Sequence, residues 1–216
     1  TGFSGMDRTQ IIDEELNAVA AHLRGRQEAI LDAWRAAADA DPQLTTVNAL
    51  PQSQFNDHIP DVLDLLARKL QAWPRDPLPL DEEQKEDAAA HGLQRWHQGY
   101  RLREVTREWG HLQLVLLDEL ERYASAGAHR SPEAMPIARR ILSELCISSV
   151  SDSTSQYFEL EKLDAAGHVL ERLDLPPEVS MAFMSRLAGG GDLSEMMAAM
   201  SSGEDPVPEE SSHAEL

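Results

Sequence analysis

A long helical stripe of apolar residues constrains the fold of this chain more than any other feature. Between positions 102 and 120 the apolar side chains recur every three or four residues, at Leu102, Val105, Trp109, Leu112, Leu116 and Leu120. That spacing places them on one face of an amphipathic helix. Similar stripes occupy 11–34, 62–70 and 137–163, and no strand-like alternation or internal repeat interrupts them. The sequence therefore predicts an all-α fold whose core is formed by packed helices.

The limits of the helical pattern predict three segments. Residues 1–6 are expected to be a disordered remnant of cloning that ends at Met6. Residues 7–187 carry the helical stripes and form the predicted folded domain. Residues 188–216 contain seven acidic residues and no Lys or Arg, a composition typical of a disordered acidic tail.

The charge balance excludes several classes of partner. The 216 residues include 19 Lys and Arg against 38 Asp and Glu, which gives a formal net charge of −19. Phosphate groups would be repelled by such a surface, so we expect neither nucleic acid nor an anionic membrane as a partner. The sequence has no apolar run long enough for a membrane span and no signal-peptide pattern at its start. We therefore expect a cytoplasmic protein.

The sequence lacks the common catalytic motifs. There is no phosphate-binding glycine loop after a strand, no GxSxG and no HExxH. The single cysteine, Cys146, stands among apolar residues and is expected to be a buried, unreactive thiol. We therefore predict that the chain is not an enzyme.

The eight histidines leave a few other readings open. A haem- or metal-binding sensor would use His58 or His91 as its ligand. A histidine-phosphotransfer protein would use His91 as the phosphoryl acceptor. That family usually has a lysine three residues later and a glycine four residues later, where this sequence has Gln94 and Arg95. Glu108 and His111 form one Glu-x-x-His pair, but a di-iron bundle needs two copies, and the sequence has no second one. We predict no metal site and no cofactor.

Five short segments, taken in order, resemble the RsbRD N-terminal domain family. They are Ile30–Trp34, Asp57–Leu63, His91–Arg95, Gly99–Val105 and Glu108–Leu112. The shared pattern is a Trp on an early helix, an Asp-His-x-Pro turn, a His-x-x-x-Arg helix, a glycine with an aromatic residue after it, and a Glu-aromatic helix. The resemblance covers about residues 23–163, most of the predicted domain.

The resemblance implies a non-enzymatic sensory domain. Members of this family are input domains of stressosome co-antagonists and of histidine kinases. It implies a globin-like helical bundle without haem, a long C-terminal helix and a homodimer. The partner would be a kinase, an anti-sigma factor or a stressosome component. No STAS domain or kinase core follows in this sequence, so any kinase activity would reside in another domain.

The candidate site residues fall into three groups. His91, Arg95 and Glu108 are predicted to form a polar cluster where two helices meet. Such a cluster would serve either as a switch or only as a fixed brace for the turn. The motif turns contain Asp57, His58, Pro60 and Gly99, and the expected core anchors are Trp34, Leu102, Val105, Trp109 and Leu112.

Overall fold

The computed structural model describes residues 8–56, 58–75, 78–127, 131–173, 176–191 and 196. These ranges contain helices, turns and short connectors but no strand, so the predicted all-α class is confirmed. The α-helices are α1 Arg8–Gly25, α2 Gln27–Asp39, α3 Gln52–Asn56, α4 Ile59–Ala72, α5 Leu78–His97, α6 Leu102–Ser125, α7 Ala134–Leu173 and α8 Pro177–Ala188. A short 3-10 helix covers Val47–Ala49. Some predicted features lie outside the described residues, namely the remnant 1–6, Asp57 and most of the tail 188–216.

None of the helices in the described ranges combines the length and the apolar character needed to cross a lipid bilayer.

The chain divides into two compact units, Thr1–Phe158 and Glu159–Leu216. The boundary falls within α7 and inside the single domain 7–187 that the sequence predicts. In the first unit α1 packs on α4 and α6, α2 packs on α6, and α4 packs on α5. The second unit has a small apolar core of its own, formed by Ala166, Leu170, Phe183, Leu187 and Met196.

The core of the first unit forms because the predicted apolar stripes face each other. Four of the five expected anchors are buried, namely Trp34, Val105, Trp109 and Leu112. Leu102, at the first position of α6, is only partly buried at the edge of this core. The Trp34 indole also donates a hydrogen bond to the Glu108 backbone carbonyl (3.1 Å), which ties α2 to α6.

The longest helix begins and ends later than its sequence signals suggest. The Ser-Pro pair at 131–132 predicts a start there, but Ser131 lies before a turn and α7 begins at Ala134. The serine-rich middle is helical throughout and the helix continues to Leu173, 40 residues in all. Serine is a mediocre helix former, so this stretch owes its helical state to packing. Ser149 and Ser153 are buried in it.

A left-handed glycine separates α5 from α6. Gly99 has a φ of +78°, a conformation that residues with a Cβ adopt at a cost. The Tyr100 amide donates to the Arg95 carbonyl and the Gly99 amide to the Trp96 carbonyl, both at 3.0 Å. These two bonds form a Schellman cap, which gives the last carbonyls of α5 hydrogen-bond partners and directs the chain into α6.

Candidate functional site

A fully buried ion pair joins α5 to α6. Arg95 lies in the last turn of α5 and Glu108 in the second turn of α6, and both side chains are 0% exposed. The Arg95 Nε lies 3.0 Å from Glu108 Oε1 and 2.9 Å from Oε2, and the Nη2 also donates to Oε1. Because both charges have left water, their mutual hydrogen bonds must offset a desolvation cost of several kcal/mol per ion.

The remaining donors of Arg95 bind the end of α3. Its Nη2 donates to the Phe55 carbonyl (2.6 Å) and its Nη1 to the Gln54 carbonyl (3.3 Å). The Nη1 also donates to Oε1 of Gln98 (2.8 Å), the residue that follows the end of α5. One guanidinium therefore holds α3, α5 and α6 together, a role that depends on the fixed fork of donors found only in arginine.

His91 lies one turn before Arg95 on α5 and is completely buried. Among the residues that the structure describes, neither ring nitrogen has a hydrogen-bond partner, and Nε2 lies 3.7 Å from Glu108 Oε1. The ring packs edge-on against His58 (centroids 5.2 Å apart) and Trp109 (5.1 Å). Burial, and then electrostatic interactions with Arg95 and His58, lower the pKa of His91 well below 6.5. The ring is therefore neutral in the folded protein.

Tyr100 packs its aromatic ring against the guanidinium of the ion pair. Its ring centroid lies 5.1 Å from the Arg95 guanidinium carbon, a distance suited to a cation–π contact. Burial, followed by the negative charge of Glu108, raises the pKa of the Tyr100 phenol above its ordinary range. The phenol is therefore protonated and neutral, and the buried cluster contains one cation and one anion.

A row of four residues on α7 hydrogen-bonds to the helices that carry this cluster. The row consists of Leu145, Ser149, Ser153 and Tyr157, spaced four residues apart. At its first end, Gln84 of α5 donates to the Leu145 carbonyl (3.0 Å) and to the Ser149 hydroxyl (3.3 Å). We call these four residues the α7 polar row.

The second half of the α7 polar row contacts both α5 and the start of α6. The Ser153 hydroxyl donates to the Ala88 carbonyl (2.7 Å) and accepts from the Trp109 indole (3.2 Å). The Tyr157 hydroxyl donates to the Tyr100 carbonyl (2.6 Å), directly after the Gly99 turn. Ser149, Ser153 and Tyr157 are not among the candidate site residues that the sequence predicts. Their four-residue spacing was the available signal, because it places them on one helix face.

The structure brings some of the sequence-predicted residues together and separates others. His91, Arg95 and Glu108 form one cluster, with His58 against it at the turn before α4 and Pro60 at the second residue of that helix. Asp57 lies outside the described residues.

Glu108 and His111 do not share a site, despite their metal-like spacing. His111 points to Asp41, with 2.8 Å between its Nε2 and Oδ2 of Asp41. Glu108 instead binds Arg95. Among the described residues, no group of three His, Cys, Asp or Glu side chains is placed to hold a metal ion.

Cys146 is 2% exposed, and burial raises the pKa of its thiol to about 12. The thiol is therefore protonated at neutral pH and is a poor nucleophile.

A surface groove of about 760 Å³ lies beside the first end of the α7 polar row. The end of α4, the start of α5 and the middle of α7 line it, with Trp73, Gln84 and Ile147 among the lining residues. Its charges are mixed, and the cationic Lys69 is paired with Asp81 across it. The groove therefore has no net preference for an anionic or a cationic ligand.

Comparisons with protein-family models, with curated proteins and with solved structures found no match to this chain.

Proposed function

We propose that this chain is a non-enzymatic sensory domain of the RsbRD type, an input to a stressosome or two-component pathway. In this proposal the buried cluster at the junction of α5 and α6 holds one arrangement of the helices. A signal favours a second arrangement, and a protein partner distinguishes the two. Such a device requires that the signal has different affinities for the two arrangements.

The observation that carries the proposal is the connection between the buried ion pair and α7. Trp109 follows Glu108 directly and bonds to Ser153, while Tyr157 bonds to the turn that follows Arg95. A change in the Arg95–Glu108 pair therefore acts on groups that hold α7. The contact between α5 and α7 includes hydrogen bonds and small side chains, which can exchange partners without opening a large apolar cavity.

The burial of the cluster favours a structural or switching role over catalysis. His91, Arg95 and Glu108 include the side-chain types used in acid–base chemistry, but each is 0% exposed. A catalytic group must come within hydrogen-bonding distance of its substrate. The three side chains instead contact each other and the protein backbone, which supports a role in holding the helix junction.

The two alternative functions require a different environment around His91. A haem iron bound to His91 would displace His58 or Trp109, whose rings pack against the imidazole. A phosphoryl-accepting histidine has to reach the active site of a partner protein, whereas the His91 ring is enclosed by α5, α6 and the turn before α4. Both observations support the cofactor-free sensory function.

We further propose a globin-like arrangement of the first unit, a homodimer and a cytoplasmic location. The support for pairing is an outer face of α7 that carries Ile147 (68% exposed) and Phe158 (55% exposed). These two residues are eleven apart, which is close to three helical turns, so they lie on the same face. Burying two large apolar side chains of this kind against a second copy would stabilise a dimer.

The proposed function can be tested by replacing Glu108 with Gln in the source organism. We expect Glu108→Gln to change the output of a stress-response or two-component reporter, because it removes the anion that holds Arg95. The matched control is Asp118→Asn, an exposed carboxylate on the same helix, which should leave the output unchanged. Cellular protein levels are measured by immunoblot so that lost output is distinguished from lost protein.

Several outcomes would contradict this proposal. Deletion of the chain without effect on either kind of reporter would remove its regulatory role. A Soret band or stoichiometric iron in the purified protein would favour the haem sensor instead. A phosphoryl group on His91 after incubation with a histidine kinase and ATP would favour phosphotransfer.

A further inference from the structure

We propose that His91 is a proton-triggered release point for the junction of α5 and α6. In the folded state the neutral ring is enclosed beside the Arg95–Glu108 pair. Mild acid then favours an open state in which the ring reaches water and takes up a proton. This inference goes beyond the sensory function proposed above and does not depend on the pathway that the chain serves.

The first argument is the unused hydrogen-bonding capacity of His91. A neutral imidazole has one N–H donor and one lone pair, and in the described part of the chain neither group of His91 has a partner. An unmade hydrogen bond on a buried polar group is unfavourable. An apolar ring would fill the same space without this penalty. The imidazole therefore destabilises the closed junction and gains both hydrogen bonds as soon as the junction opens to water.

The second argument is the set of charges that faces the ring from each packed element. The turn before α4 contributes His58 and α5 contributes Arg95, both unfavourable to a proton on His91. The anion Glu108 of α6 lies 3.7 Å away, but both of its oxygens already accept from Arg95. Asp87, one turn before His91 on α5, interacts electrostatically with His58. On α7, the neutral Ser153 hydroxyl binds the indole of Trp109, the ring that packs against His91.

These surroundings determine the sign of the pH effect. The closed state lowers the pKa of His91 well below 6.5, whereas an exposed imidazole titrates near that value. Below about pH 6.5 the open state therefore binds one more proton than the closed state. Its population relative to the closed state rises about fivefold over the first pH unit below 6.5 and approaches a tenfold rise per unit at lower pH, until the closed state also becomes protonated.

The junction has features that allow it to open as a unit. The Schellman cap at Gly99, the fork of Arg95 and the Tyr157–Tyr100 bond all lie within one turn of the helix ends. Once His91 is protonated in an open state, it competes with Arg95 for the Glu108 carboxylate. The contacts of Arg95 with the end of α3 are then weakened together with the ion pair.

The experiment measures amide hydrogen exchange by mass spectrometry on the full chain at pH 7.5, 6.5 and 5.5. The measured exchange rates are divided by the intrinsic exchange rate of an unprotected amide at each pH. The remaining change with pH then reports the protection of the amides by the fold. For peptides that cover residues 91–105 we expect protection in the wild type to fall about fivefold between pH 6.5 and 5.5. The same peptides of His91→Phe should change less than twofold, because phenylalanine cannot take up a proton. His97→Gln, an exposed histidine on the same helix, is the matched control and should behave like the wild type.

Two results would overturn the inference. One is an equal loss of protection in His91→Phe and in the wild type. The other is an equal loss throughout α1 and α4, which would show global unfolding instead of a local opening. If His91→Phe does not fold, ring-nitrogen NMR of the wild type replaces that comparison. His91 should then remain neutral in the closed state at pH 5.5, and titration of that resonance near pH 6.5 without loss of protection would contradict the proposal.

Discussion

The backbone of Gly92 faces the carbonyl of Ser153 so closely that a Cβ on residue 92 would lie 2.2 Å from that oxygen. This close approach of α5 to α7 lies one turn after Ala88, whose carbonyl accepts from the Ser153 hydroxyl. The obstructing atom belongs to a helix backbone, which cannot rotate aside as a flexible side chain does. Only glycine fits position 92 in this arrangement, and Gly92 is also the residue next to His91.

We therefore predict that Gly92→Ala lowers the free energy of unfolding by about 1–3 kcal/mol, the usual cost of overpacking a tight contact. The matched control is Gly110→Ala in α6, where a Cβ would meet no atom within 4 Å. There alanine should stabilise the protein by about 0.5–1 kcal/mol, because it is the better helix former. Urea unfolding monitored by circular dichroism measures both variants. Equal effects at the two glycines would contradict the close approach of α5 and α7.

A second prediction concerns the polar contact at Ser153. Ser153→Ala removes the acceptor for the buried Trp109 indole and the donor to the Ala88 carbonyl, so we expect a loss of about 1–3 kcal/mol. Ser151→Ala on the exposed face of α7 is the control. It should be neutral or slightly stabilising, since alanine has the higher helix propensity. A Ser153 variant as stable as the Ser151 variant would show that the α7 polar row contributes no stability.

The Arg95–Glu108 pair predicts strong non-additivity. Removing one partner, as in Arg95→Met or Glu108→Leu, leaves a buried charge without its counterion and should lower the free energy of unfolding by about 3–5 kcal/mol. The double variant leaves neither charge. Its loss should be clearly smaller than the sum of the two single losses. A double-mutant cycle in urea measures the coupling, and simple additivity would indicate that the two side chains do not interact in solution.

Local features of this protein were predictable from the sequence because they depend on nearest neighbours along the chain. The apolar stripe of α6 has to face a core, and glycine at position 99 suits the left-handed turn that ends α5. The positions of Arg95 and Glu108 on either side of that turn then bring the two side chains within reach of each other.

Other features depend on packing between segments and were not predictable in the same way. Arginine and glutamate are seldom fully buried, so the complete enclosure of Arg95 and Glu108 carries no signal in the sequence. The start of α7 at Ala134 departs from the Ser-Pro signal three residues earlier. Nothing in the sequence indicates that His111 reaches Asp41, which lies 70 residues earlier in the turn after α2. Partners distant in the chain account for the burial of Arg95 and Glu108 and for the position of His111.

Asp41 carries the last prediction, which concerns acid stability. Its carboxylate accepts from Nε2 of His111 (2.8 Å), from Nε of Arg107 (2.9 Å) and from the Gln43 amide (2.9 Å). The hydrogen bond from His111 and then that from Gln43, with a further one from Arg107, lower the pKa of Asp41 from 3.8 to about 2. A lowered folded-state pKa means that this stabilisation is present above pH 3.8 and is lost between pH 3.8 and about 2.

We therefore expect Asp41→Asn to be less stable than the wild type at pH 6 and to lose less further stability on acidification. The control is Asp39→Asn, whose exposed carboxylate pairs with Arg35 on the surface of α2. Surface pairs of this kind contribute little, so Asp39→Asn should follow the wild-type pH dependence. Urea unfolding at pH 6, 4 and 3 gives the three profiles. If Asp41→Asn and the wild type lose stability in parallel on acidification, the folded and unfolded chains bind protons equally at Asp41. That result would contradict the prediction that the link from Asp41 to α6 stabilises the fold.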